Sequence, residues 1–361
     1  MLKGWIIGIF IGFSLAVNAS QATDLYRVLV PVGDQTTASR EAGIDIAFSQ
    51  MLIKLTGNSQ ILQSPQLKPF LIDPEAFLDS VGFNQLSNPQ TDKNIAIGLD
   101  VKFDRPSVDK LLKQAQLPII PAVRPQFLVW LMLDDIDKGR RVLDEATAGQ
   151  TQPEDLFFDF LSAFESSMES RAIDYYLPSY DLEDQLSVSA KEAWAMNIEA
   201  LNNASQRYAA DGWFALRVFK ASDGQIRGAW AYEENGVRQM DDFYGDSIND
   251  LISASVDLIL DALLQAYTYV PQLETDKLLV QIDGISSYKQ YQGAIARLEQ
   301  LELVESLQVY SVNSGELVVA IEINGGVELL HSDLIRTGLL KPYLSSDNRS
   351  IGRLTYRWVQ Q

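Results

Sequence analysis

The chain has 361 residues, 47% of them hydrophobic and 21% charged, a composition that excludes an intrinsically disordered protein. Its 48 acidic and 29 basic residues leave a formal net charge of −19, which repels phosphate backbones and disfavours nucleic-acid binding. With no cysteine and one histidine, His331, the chain has no disulfide, thiolate metal site, cysteine nucleophile or acylated lipoprotein cysteine, and no zinc site built on two histidines; a Ser-His-Asp triad would have to use His331.

Lys3 and the apolar run 5–17, followed by Val17-Asn18-Ala19 and Ser20-Gln21-Ala22, form the pattern of a secretory signal peptide. The run is shorter than the roughly 20 residues that span a bilayer. Cleavage is expected near Ala19 or Ala22, leaving no transmembrane segment and placing the protein in a bacterial periplasm. Retention of this segment as an N-terminal anchor is the alternative.

The length suggests two or three domains. Residues 24–118 read as a first α+β module. Residues 26–32 alternate and predict a strand, with Pro31 marking its end or a sheet edge. Asp34 to Thr37 is turn chemistry, and Ile44, Ala47, Phe48, Met51, Leu52 and Leu55 then give one helical stripe stopped by Gly57-Asn58. Two short helical pieces are expected at 65–71 and 74–81, and a second strand at 95–103. Asp104 is the expected N-cap of a helix that faces Val108, Leu111, Leu112 and Ala115 inward and ends before Pro118. Residues 117–125, with three prolines, read as a linker.

Val30-Pro31-Val32, Lys54-Leu55-Thr56-Gly57-Asn58 and the later Arg124-Pro125 with Leu128-Val129-Trp130-Leu131 resemble an exported gammaproteobacterial family known as domain of unknown function 2066. The resemblance implies export and brings no assigned activity or catalytic residue.

Residues 124–270 read as a middle module with a mixed sheet and helices. The continuous apolar run 127–133 predicts a strand buried on both faces. A loop is expected at 140–152, a helix at 153–173, a short strand or extended piece at 175–178 and a helix at 197–208. Asp223-Gly224 and Asn235-Gly236 predict two hairpins joining strands 212–220, 226–232 and 237–244. Asp246 is the expected cap of a helix reaching 267. From Arg207 to Trp213 and through the hairpins, the pattern resembles the N-terminal domain of TolB, a class that usually serves as a binding platform.

Residues 273–361 predict strands at 278–285, 304–312, 317–323 and 353–359 and helices at 287–301 and 327–340. The sum is a ferredoxin-like βαββαβ module. The expected fold class is therefore α+β, in three small modules.

Three groups could carry chemistry. Asp134, Asp135 and Asp137 follow a buried strand, where open α/β sheets bind ligands, and could hold a divalent cation or supply an acid and a base for glycan hydrolysis. The bland alternative is a solvated turn. Tyr175, Tyr176, Tyr180, Asp181, Glu183 and Asp184 could grip a sugar or a cationic peptide. Arg349, Arg353, Arg357 and Trp358 give the tail a local basic character suited to an anionic partner. No serine-hydrolase elbow, P-loop or dinucleotide fingerprint appears. The expectation is a non-enzymatic binding or adaptor protein with an envelope protein partner and no cofactor. The alternatives are a carboxylate-dependent glycan hydrolase and a small-ligand or metal sensor.

Overall fold

The computed structural model describes residues 24–85, 97–135, 139–148, 156–234, 236–271, 276–313, 315–336, 338, 340–342 and 353–359. The expected signal peptide lies outside these residues.

The N-terminal unit comprises β1 (Arg27–Val32), α1 (Thr37–Thr56), β2 (Leu78–Gln85), β3 (Ile97–Phe103) and α2 (Arg105–Ala115), with antiparallel sheet order β1-β3-β2. Strand β1 lies at an edge, where Pro31 costs no ladder hydrogen bond. Its side chains alternate between exposed and buried. Thr36 caps α1 by accepting from Ser39 N, and the whole expected apolar stripe is buried. Asp104 Oδ2 accepts from Ser107 N at 3.0 Å and caps α2. The expected helix at 74–81 is instead a 3-10 turn, Pro74–Phe77, that runs straight into β2. The β2 sequence LDSVGFNQ has no apolar run, because as an edge strand it buries little.

The middle unit is built on β4 (Gln126–Asp135). Phe127, Val129, Leu131 and Leu133 pack on one side, and Leu128, Trp130 and Met132 on the other. Strand β5 (Gly139–Val142) and the one-turn helix α3 (Glu145–Ala148) occupy part of the expected loop. They are followed by α4 (Leu156–Ser170), β6 (Asp174–Tyr176), α5 (Leu182–Ser187), α6 (Ala190–Trp194), α7 (Ile198–Ser205), β7 (Gly212–Lys220), β8 (Ile226–Glu234), β9 (Val237–Gly245) and α8 (Ile248–Leu263). The order is β5-β4-β7-β8-β9, with β6 also paired to β4 and with β4 parallel to β7. Helices α4 and α8 cover one face, and the segment from α5 to α7 covers the other. The cap of α8 is Ser247 rather than Asp246, with its hydroxyl accepting from Asp250 N.

The C-terminal unit comprises β10 (Asp276–Asp283), α9 (Tyr288–Glu299), β11 (Val304–Asn313), β12 (Glu316–Ile323), α10 (Val327–Arg336), β13 (Leu340–Pro342) and β14 (Arg353–Trp358). The βαββαβ succession is present, with sheet order β11-β12-β10-β14-β13. One strand, β13, is not among the expected elements. Strand β13 turns the chain back before β14, so β14 runs parallel to β10.

Among the described residues the fold is therefore α+β with three sheets. The first and third units share one continuous hydrophobic core, in which Phe48, Phe103 and Leu112 belong with Leu298, Ile321 and Tyr356. The expected linker is a packed strap. Leu117, Ile119 and Ile120 are buried, Ile119 and Tyr269 exchange backbone hydrogen bonds at 2.8 and 2.9 Å, and Ile120 N donates to Leu55 O at 2.9 Å.

Candidate functional site

The carboxyl ends of β4 and β7, which run parallel in the middle sheet, carry a cluster of charged and aromatic side chains. The register aligns Arg140, Asp134, Phe219, Arg227 and Tyr244 in one row across β5, β4, β7, β8 and β9. Because side chains alternate along a strand, these residues share the face of Trp130 and Met132, the face covered by α6. Arg217 stands two residues before Phe219 on the same face, and Trp194 ends α6 above them.

Two guanidiniums lie over the Trp194 ring. Arg140 is 4.9 Å from its centroid and Arg217 is 5.6 Å. Phe219 meets the indole edge-on at 6.1 Å. Arg217 Nη1 donates to Trp194 O at 2.6 Å, and Nη2 is 3.6 Å from Asp242, a carboxylate 83% exposed. Arg217 Nε is buried and has no acceptor. Arg227 donates to Asp223 at 2.7 Å. Arg217, Phe219, Gln225, Arg227, Asp242 and Tyr244 line a cleft of about 480 Å³. Guanidiniums held over an aromatic ring, with one N–H unused, suit a carboxylate or phosphate carried on a flat or apolar body.

Of the acidic triplet, Asp134 and Asp135 lie among the described residues. Strand β4 extends through Asp135, so Asp134 is a strand residue, and its Oδ2 accepts from Arg140 Nε at 2.8 Å. Asp135 pairs with Gly139 in the ladder, and Asp137 lies outside the described residues. Among the described residues, no group of three His, Asp or Glu is placed to hold a metal ion. The tyrosine and acid cluster is occupied by the chain itself. Asp181 caps α5, Asp184 is fully buried, and Arg207 binds both, at 2.7 and 3.0 Å. Tyr208 donates to Asp184 at 2.6 Å.

The tail residues stand on another sheet. Arg353 opens β14, and Arg357 is exposed opposite Asp283. Trp358 is half-buried against Gly293 and the shared core. Arg349 lies outside the described residues. His331 Nδ1 is 2.7 Å from the hydroxyl of buried Tyr356.

Sequence reasoning missed Trp194, Arg217, Arg227 and Tyr244. A signal was present. Arg217 and Phe219 are separated by two in an otherwise apolar strand, and the Asp223-Gly224 turn fixes the register that sets Arg227 opposite Phe219.

A second cleft, of about 350 Å³, opens where α2, the strap and the third unit meet. Glu302 sits in its wall, accepts from Ala122 N and lies 3.7 Å from Arg105. Burial raises the Glu302 carboxyl above its ordinary 4.5, against the opposing pull of the Ala122 N–H, Arg105 and Arg124; Asp109 adds to the rise. The folded state thus holds this proton more tightly than the unfolded state. The stability tied to it is complete below about pH 4.5 and is lost as pH rises through the folded value. Glu302→Gln should therefore match the wild type in urea denaturation at pH 4 and exceed it at pH 7. A lower midpoint for the variant at pH 7 would contradict this sign.

Residues 19–121 match a family model described as a domain of unknown function (DUF8605). The match covers the N-terminal unit and the start of the strap. No curated protein matches the chain. One solved structure, titled "Crystal structure of uncharacterized protein", is similar over 40% of this chain and 91% of its own, at 10% identity and a TM-score of 0.17. That likeness is too slight to bear on the fold. Among the described residues, no helix is long and apolar enough to cross a membrane.

Proposed function

We propose that the protein is an exported binding or adaptor module of the cell envelope, and that its ligand docks on the arginine and aromatic cleft at the carboxyl end of β4 and β7. The observation that carries this reading is Arg217, whose buried Nε has no acceptor while its guanidinium lies over the Trp194 ring, 5.6 Å from the centroid. The Asp242 contact at 3.6 Å is loose and well exposed, so an incoming carboxylate or phosphate can replace it. Export rests on the N-terminal pattern. The resemblance of residues 30–58 to domain of unknown function 2066, and of the middle unit to the TolB N-terminal domain, supports an envelope setting.

Titration with benzoate, glucuronate and inorganic phosphate, followed by tryptophan fluorescence, tests the reading. At least one anion should quench saturably. Trp194→Phe should remove the response, which assigns it among the six tryptophans. Arg217→Gln should weaken binding at least about tenfold, the scale of one hydrogen bond to a charged group. Failure of all three anions to bind, or unchanged affinity in Arg217→Gln, would sink the proposal.

A further inference from the structure

The second cleft lies away from the middle sheet, and its two walls differ in charge. Helix α2 contributes Arg105, Lys110 and Lys113, together with Asp109. The third unit contributes Glu302, Glu305 and Asn324. Ile119, Tyr269 and Pro271 supply an apolar floor. Part of the charge is already satisfied. Lys113 pairs with Glu305 at 2.9 Å, and Arg105 with Asp109 at 3.4 Å.

What is left over is specific. Asn324 uses its Nδ2 on Glu305, but its Oδ1 is buried with no donor. A buried acceptor left without a donor is destabilising unless something fills it. Glu302 commits one oxygen to Ala122 N and leaves the other only 3.7 Å from Arg105, too far for a hydrogen bond. On the facing wall, Lys110 is exposed and makes no ion pair with any described residue. The backbone shapes the floor to match. Gly325 adopts φ +111°, and any Cβ there would lie 2.9 Å from the Tyr269 ring, so only glycine lets that ring close against the chain beside Asn324.

We propose that this cleft binds a small zwitterion, an α-amino acid with an apolar side chain. Its ammonium donates to Asn324 Oδ1 and the free oxygen of Glu302. Its carboxylate meets Lys110 and Arg105, and its side chain lies on Ile119 and Tyr269. The volume sits at the lower end of the range for small-molecule pockets, and the junction of packed units is a usual place for one. A lone anion or a lone cation would leave one wall unanswered.

Calorimetric titration of the full-length protein separates the possibilities, with leucine, methionine and phenylalanine as probes. Two half-ligands, 4-methylpentanoate and isoamylamine, carry one charge each. At least one amino acid should bind saturably and raise the thermal midpoint, since a ligand that binds only the folded state stabilises it. Each half-ligand should bind at least about tenfold more weakly. Asn324→Leu and, independently, the surface change Lys110→Ala should each weaken amino-acid binding at least about tenfold, while Arg217→Gln leaves it unchanged. If no amino acid binds, if a half-ligand binds as tightly, or if both cleft variants keep wild-type affinity, the inference is overturned. Because Arg217→Gln reports only on the middle sheet, failure here and failure of the proposed anion cleft are distinguishable.

Discussion

Arg171→Met should lower the unfolding free energy by about 3 kcal/mol, read as a fall in the urea midpoint at pH 7. Arg171 is the anchor of the joint between the N-terminal and middle units. Its side chain is 1% exposed. Nη1 donates to Gly57 O at 2.5 Å and to Asp261 Oδ1 at 2.9 Å, and Nη2 donates to Asp257 Oδ1 at 2.6 Å. One guanidinium thus ties the end of α1 to α8 from its own position just after α4.

Removing the charge leaves two carboxylates one helical turn apart on α8, where like charges repel. It also strips the donor from Gly57 O. Breaking a buried pair by deleting one partner costs about 3–5 kcal/mol. The lower end applies because Asp257 is 40% exposed and Asp261 26%, so water recovers part of the loss. Ser59 still donates to Asp261 from its backbone and hydroxyl, at 3.0 and 2.8 Å. Arg171→Lys should recover little, because an ammonium cannot present a planar fork to three acceptors. If Arg171→Met unfolds at the wild-type midpoint, the joint is not held electrostatically.

How far the sequence reveals this molecule depends on whether a feature is local. The run 127–133 is apolar at every position, and both faces of β4 are indeed covered. Thr36, Asp104 and Asn197 each cap a helix whose apolar spacing is plain in the sequence. The hairpins follow their Asp-Gly and Asn-Gly turns. Short exposed elements are not legible in this way. Strand β2 buries none of its side chains fully, and α6 is little more than one turn. Even so, Ser189 and Glu192 form a capping box that marks where α6 begins.

The sites are harder to read, because their residues meet only through tertiary structure. Lys113 reaches Glu305 across 192 positions, and Arg171 reaches Gly57 across 114. Asp134 looked like a free ligand because its partner, Arg140, lies on a strand the sequence renders as loop. The segment from Lys54 to Asn58 can now be given a physical meaning. Thr56 donates to Leu52 O at 2.8 Å, Asn58 Oδ1 accepts from Gln60 N at 2.8 Å, and Gly57 O meets Arg171. The pattern describes how a helix ends against a neighbouring unit, which explains why it points to no reaction.

The strongest test of that meaning is Gly57→Ala, expected to cost about 3 kcal/mol by urea denaturation. Two terms contribute. Gly57 has φ +64°, a left-handed conformation that costs an L-residue about 1–2 kcal/mol. A Cβ there would lie 2.0 Å from Ile120 Cδ1 and 3.1 Å from Leu264 Cδ1, and overpacking of a filled core costs about 1–3 kcal/mol. Ile120 is 2% exposed and held through its backbone to Leu55 O, so it cannot move away freely. Ile120→Ala separates the terms. In that background the 2.0 Å clash with Ile120 is gone and the Leu264 methyl at 3.1 Å needs to give by only a few tenths of an ångström into the space opened, so Gly57→Ala should cost only about 1 kcal/mol, a coupling of about 2 kcal/mol in the double-mutant cycle. Equal costs in both backgrounds would place the whole effect in the backbone. A coupling of the expected size would show that the glycine is required chiefly because the strap, through Ile120, is pressed against the end of α1.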